Sequence, residues 1–225
     1  MSVLVDPFVS FPAAAGGITL VGVARTVAPT SASVNCTLPA GSAIGDHALL
    51  VGIAGAGTGA TLPVAWTGVS GANPKSGSVN EMRAGTKDLD STDVTNGYVS
   101  CPGDPYSNGI EYVLYVWRGG SFDVAVADTG SPFTSPDTVC VIPSATAAAA
   151  GSLLIGVTGG RAVGTSWGTT PAGWTDPPVA RIGSYVSLWA SHRTLSASGA
   201  TGTASVTNVG AANKEFVSLA FVVKP

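Results

Sequence analysis

Few residues in this chain have side chains able to do chemistry. Gly164-Thr165-Ser166-Trp167-Gly168 spells the G-x-S-x-G pattern of a hydrolase nucleophile. That pattern acts only at a sharp strand-to-helix elbow of an α/β sheet. No alternation of strand and helix surrounds it, and a chain with 30 glycines produces the pattern cheaply. A serine nucleophile also needs a histidine base and an orienting carboxylate. His47 and His192 are the two histidines, and the local sequence sets no complete relay beside either. Both read as polar residues at strand ends.

Asp88, Asp90 and Asp93 put three carboxylates within six residues. An EF-hand loop needs glycine at its sixth position and glutamate at its twelfth. Asp93 and Val99 stand there instead, so the segment reads as a solvated loop. Cys36, Cys101 and Cys140 are odd in number and form no C-x-x-C pair, which suggests neither a disulfide framework nor a zinc site. They are expected as reduced thiols. No catalytic residue, metal site or cofactor is expected. Among the aromatics, Trp117 falls in a strongly apolar run and reads as core. Trp167 and Trp174 flank the turn-rich Gly168–Gly173 segment and are the candidates for an exposed ligand face, where rings could stack on a glycan.

The elements that would carry these residues are β-strands. Of 225 residues, 45% are hydrophobic, so the chain can bury a sizeable core. Only 10% are charged, against about 25% in ordinary soluble domains. The net charge of −3 leaves no basic surplus for nucleic acid. No apolar run is long enough for a membrane-spanning helix, and the first residues lack the pattern of a secretory signal. So bare a surface suits a protein packed against neighbours.

A shift of 104 residues aligns the chain with itself without a gap. Cys36 falls on Cys140, Pro39 on Pro143, and Leu49-Leu50-Val51-Gly52-Ile53 on Leu153-Leu154-Ile155-Gly156-Val157. Farther on, Glu111-Tyr112-Val113 meets Glu215-Phe216-Val217, and Trp117 meets Phe221. Residues 18–120 and 121–225 are therefore expected as two copies, joined without a linker and favoured as one fused body. Each reads as about seven short strands separated by glycine and proline turns. The expected strands of the first copy are 18–24, 32–38, 48–54, 62–66, 93–99 and 110–117. The runs 48–54 and 153–157 are apolar on both faces and should be central. The fold class expected is all-β, a β-sandwich of jelly-roll or Ig-like type built from two duplicated halves.

Residues 1–17 stand outside the repeat as an extended arm. Its apolar side chains Val3, Leu4, Val5, Phe8, Val9 and Phe11 are punctuated by Pro7 and Pro12, which block a helix. The arm either folds back onto its own body as an extra edge strand or, the favoured expectation, docks by strand addition in a groove of a neighbouring subunit.

Several short signals resemble a β-rich domain of bacteriophage virion structural proteins. They are Leu38-Pro39-Ala40-Gly41 and Gly45-Asp46-His47-Ala48-Leu49-Leu50-Val51, then Tyr115-Val116-Trp117-Arg118-Gly119. In the second half they are Pro171-Ala172-Gly173-Trp174-Thr175 and Ala200-Thr201-Gly202-Thr203, with a last apolar strand ending near Lys224-Pro225. The resemblance implies a non-enzymatic virion component assembled in a bacterial host's cytoplasm. It would be a capsid decoration, minor capsid or small head-appendage protein, homo-oligomeric on the particle and partnered by other virion proteins. Alternatives are a tail or receptor-binding component, or a carbohydrate-binding module of a bacterial surface protein that meets a host-surface glycan. Neither nucleic acid nor membrane is an expected partner.

Overall fold

The computed structural model describes residues 17–28, 32–55, 60–76, 80–103, 109–128, 139–161, 166–176, 186–209 and 215–225. In chain order the first elements are β1 (Thr19–Ala28), β2 (Val34–Thr37), β3 (His47–Gly55), β4 (Thr67–Gly68), β5 (Lys75–Ser76) and β6 (Asn80–Asp88). A short helix α1 (Ser91–Asn96), β7 (Tyr98–Cys101) and β8 (Ile110–Arg118) follow. Then come β9 (Ser121–Asp128), β10 (Val139–Ile142), β11 (Thr146–Ala147), β12 (Leu153–Arg161) and β13 (Ser166–Trp167). The last are β14 (Val186–Thr194), β15 (Gly199–Ala200), β16 (Ala204–Val209) and β17 (Glu215–Lys224). The fold is all-β, built from several antiparallel sheets.

One main sheet runs β1-β8-β3-β6-β4, with β5 also on β6. A second runs β14-β12-β17-β9. Smaller sheets pair β2 with β7, β10 with β16 and then β13, and β11 with β15. The position of β3 and β12 explains their composition. Each has hydrogen-bonded neighbours on both sides, and each buries both faces, because successive side chains point to opposite sides of a sheet. Leu49, Val51 and Ile53 share one core with Leu153, Ile155 and Val157, so the two main sheets pack face to face. The opposite face of β3, through Leu50, packs with Cys36, Val99 and Cys101 of β2 and β7. The opposite face of β12, through Leu154, packs with Cys140, Ile142 and Val206 of β10 and β16. Four layers result, with the shared core in the middle.

Three local expectations are corrected. Residues 62–66 form a reverse turn rather than a strand: the Trp66 amide donates to the Pro63 carbonyl at 3.3 Å, and Ala65 has φ 71°. Residues 93–99 divide into the end of α1 and the start of β7. The helix is specified by a capping box. The Asp90 carboxylate accepts from the amides of Thr92 and Asp93, the Asp93 carboxylate accepts from the Asp90 amide, and Gly97 closes the end at φ 71°. The aspartate-rich segment is thus a helix start with Asp93 buried, not a solvated loop. Strand β6 stands where no strand was expected. Only Met82 and Ala84 give it an apolar face, between Glu81 and the exposed Arg83.

Candidate functional site

The two tryptophans expected to face solvent are buried, which corrects the predicted ligand face. Trp167 is 7% exposed. Its Nε1 donates to Ser187 Oγ at 2.7 Å, and its ring meets Phe216 edge-on at 5.6 Å. Trp174 is 9% exposed, packed against Trp189 at 6.2 Å, with the Arg193 guanidinium 5.0 Å from its ring centre. The glycine-rich segment between them lets the chain turn back, and both indoles enter the core beneath β10 and β16.

Ser166 lies in β13, opposite Val209 of β16; a two-residue antiparallel strand is not the elbow a serine nucleophile needs. His47 starts β3. Its Nδ1 lies 2.6 Å from Asp88 Oδ1, and its ring packs on Trp117 at 5.7 Å. His192 is on β14 beside Tyr115, and burial pushes its pKa down, against the pull of Asp176. Among the described residues, neither histidine is hydrogen-bonded to a serine side chain. Among the described residues, no group of three or more His, Cys, Asp or Glu could hold a metal ion, and no helix is long and apolar enough to cross a membrane. All three cysteines are buried thiols outside any disulfide. Contact with the Cys36 sulfur, together with burial, pushes the Cys101 thiol up and leaves it a poor nucleophile. The arm residues Val3, Leu4, Val5, Phe8, Val9 and Phe11 lie outside the described residues.

A hollow with mixed chemistry lies elsewhere, on the first half. It has a volume of about 450 Å³ and is lined by Trp66, Tyr98, Val64, Lys87, Asp93 and Asn96, among others. The turn at Pro63 carries Trp66 to one wall and leaves Val64 97% exposed at the rim. The other side is built by α1 and β7. Lys87 Nζ lies 2.8 Å from Asp90 Oδ2 and 2.7 Å from Asp93 Oδ2. Burial works against the Lys87 charge, but the bonds to the two carboxylates outweigh it and raise its pKa. In turn the Lys87 bond, helped by the backbone amide of Asp93, holds Asp90 at about 2. The charges are paired within the wall, while Trp66 and Tyr98 are only half-buried. Such a surface offers ring faces beside hydrogen-bonding groups, with one carboxylate in excess of the ammonium. The sequence signal for it was the Pro-x-x-Trp turn at 63–66, which a strand reading of 62–66 obscured.

Comparison with protein-family models, curated proteins and solved structures finds no match. The chemistry of the chain's own residues therefore carries the functional argument.

Proposed function

We propose that this chain is a non-enzymatic structural protein of a bacteriophage virion, a duplicated jelly roll that decorates the capsid or forms a small head appendage. The observation that supports this reading is a pairing order shared by the longer strands of the two segments, although the short strands pair differently. In the first half β1 pairs β8, β8 pairs β3, β3 pairs β6, and β2 pairs β7. In the second, β9 pairs β17, β17 pairs β12, β12 pairs β14, and β10 pairs β16. A first strand beside the last, with the second beside the penultimate, is the order of a jelly roll, an architecture common in viral capsid domains.

Duplication is supported by the strand limits as well. A shift of 106 residues carries His47–Gly55 onto Leu153–Arg161 and Asn80–Asp88 onto Val186–Thr194. That is two residues more than the 104-residue shift of the sequence matches, and in these two strands a difference of two keeps side chains on the same face, whereas β2 and β10 begin 105 residues apart and β1 and β9 102. Fold alone does not assign a role. The low charge and the resemblance to virion domains supply the setting, and the apolar arm supplies an anchor.

Quantitative mass spectrometry of purified particles tests the role. Hundreds of copies per particle are expected of a capsid coat. A dozen or fewer would instead support the tail or receptor-binding alternative, and absence from the particle would overturn the proposal. Deleting residues 1–16 tests the anchor: the truncated protein should keep its melting temperature within a few degrees and lose incorporation.

A further inference from the structure

The turn Pro63-Val64-Ala65-Trp66 has a counterpart in Pro171-Ala172-Gly173-Trp174. In each, the tryptophan amide donates to the proline carbonyl, at 3.3 and 3.1 Å. In each, the residue before tryptophan has positive φ, 71° at Ala65 and 79° at Gly173. The next residue then pairs with a long strand, Thr67 with Thr86 and Thr175 with His192. One residue beyond each partner stands a cation, Lys87 in the first half and Arg193 in the second. Here the halves diverge. Arg193 lies over the Trp174 ring at 5.0 Å, and Trp174 is buried. The Lys87 ammonium is instead held by Asp90 and Asp93 at the start of α1. Its positive charge is committed to two carboxylates, and Trp66, half-buried, lines an open groove together with Tyr98.

We propose that this groove is a carbohydrate site that takes a neutral hexopyranose unit of an oligosaccharide. A pyranose has an apolar C–H face and a rim of hydroxyls, and the groove presents the complement of both. Trp66 and Tyr98 offer ring faces for the C–H side. Asn96, exposed on α1, offers both a donor and an acceptor, and the Lys87 ammonium keeps one N–H beyond those aimed at Asp90 and Asp93. One ammonium against two carboxylates leaves the wall with a single negative charge, which turns away an acidic sugar and leaves a neutral one unopposed. The volume of about 450 Å³ lies within the range of small-ligand sites. Ala65 is the one non-glycine with positive φ among the described residues. The chain therefore holds a strained turn where Val64 and Trp66 are displayed, as is common at binding loops. This inference goes beyond the virion role and does not depend on it.

The full chain, labelled with ¹⁵N, should be titrated with maltohexaose, cellohexaose and chitohexaose to about 10 mM, enough to saturate a millimolar site. At least one sugar is expected to shift the Trp66 indole resonance and the Tyr98 and Asn96 amides, leaving the Trp174 indole in place. Trp66→Ala should weaken that sugar roughly tenfold or more, equivalent to about 1.4 kcal/mol. Asn96→Ala, at an exposed position, should weaken it several-fold, and it provides the reading if Trp66→Ala does not fold. The proposal is overturned if no sugar of the panel shifts these resonances, or if the shifts map elsewhere. Unchanged affinity in folded Trp66→Ala would also overturn it, as would preference of the groove for the apolar dye ANS over every sugar.

Discussion

Arg25 and Glu111 form an ion pair at 3.3 Å with side chains 1% and 0% exposed. The pair joins the two main sheets: Arg25 Nη1 donates to the Leu188 carbonyl at 2.6 Å, and the Leu188 amide donates to Glu111 Oε2 at 2.9 Å. Removing one partner strands a buried charge, so Glu111→Ala should lower the unfolding free energy by about 3–5 kcal/mol in a urea titration. Replacing both, as Arg25→Met with Glu111→Leu, should recover only part of that loss, because no charge stays buried but the Leu188 amide and carbonyl lose their partners. His192 gives the molecule a pH dependence. Burial depresses its pKa below the ordinary 6.5, against the attraction of Asp176. The unfolded chain then binds its proton first as pH falls below about 6.5, and stability declines until the folded state is protonated too. Melting temperatures measured from pH 7 to 5 should fall more steeply for the parent chain than for His192→Gln, and equal slopes would remove His192 from the account.

Among the elements, β3 depends on one glycine. A Cβ on Gly52 would stand 2.6 Å from a ring carbon of Tyr112. That ring has little room to move, because its hydroxyl donates toward the Thr61 and Pro102 carbonyls at 3.2 and 2.9 Å. Gly52→Ala should therefore cost about 1–3 kcal/mol by overpacking, read as a shift in denaturation midpoint with unchanged slope. How well the elements could be read in advance follows from how each is specified. Long apolar runs such as β3 and β8 declare themselves, since both faces are buried. Strand β6 does not, because its inward face is two side chains, Met82 and Ala84, set among polar residues. Helix α1 has too few residues for a period. Its signals are the capping pair Asp90 and Asp93 and the closing Gly97, a pattern that also suits a loop. The Trp66 groove was hidden for the same reason: a turn before a two-residue strand looks like a strand.

At the scale of the whole molecule, the central core belongs to both segments at once. Tyr115 and Trp117 from the first and Leu188 and Phe221 from the second are all buried in it. A chain of residues 17–120 alone would expose that face, at about 1.5–3 kcal/mol for each large side chain left in water. It should aggregate or stay unfolded, whereas the full chain should melt in one transition with matching calorimetric and van't Hoff enthalpies. A soluble, folded, monomeric half would contradict this. The sequence by itself determined the β class and the positions of the apolar central strands, because alternation and burial act within a few neighbouring residues. It also placed Trp117 correctly in the core. Only the tertiary structure decided which tryptophans are covered. Trp167 and Trp174 sit beside glycines that promise exposure, yet Ser187 and Arg193, each about 20 residues away along the chain, close over them. Trp66 stays half-open because Lys87 is drawn to α1 instead. Exposure is a property of which distant side chain reaches a ring first, and local sequence carries no record of that competition.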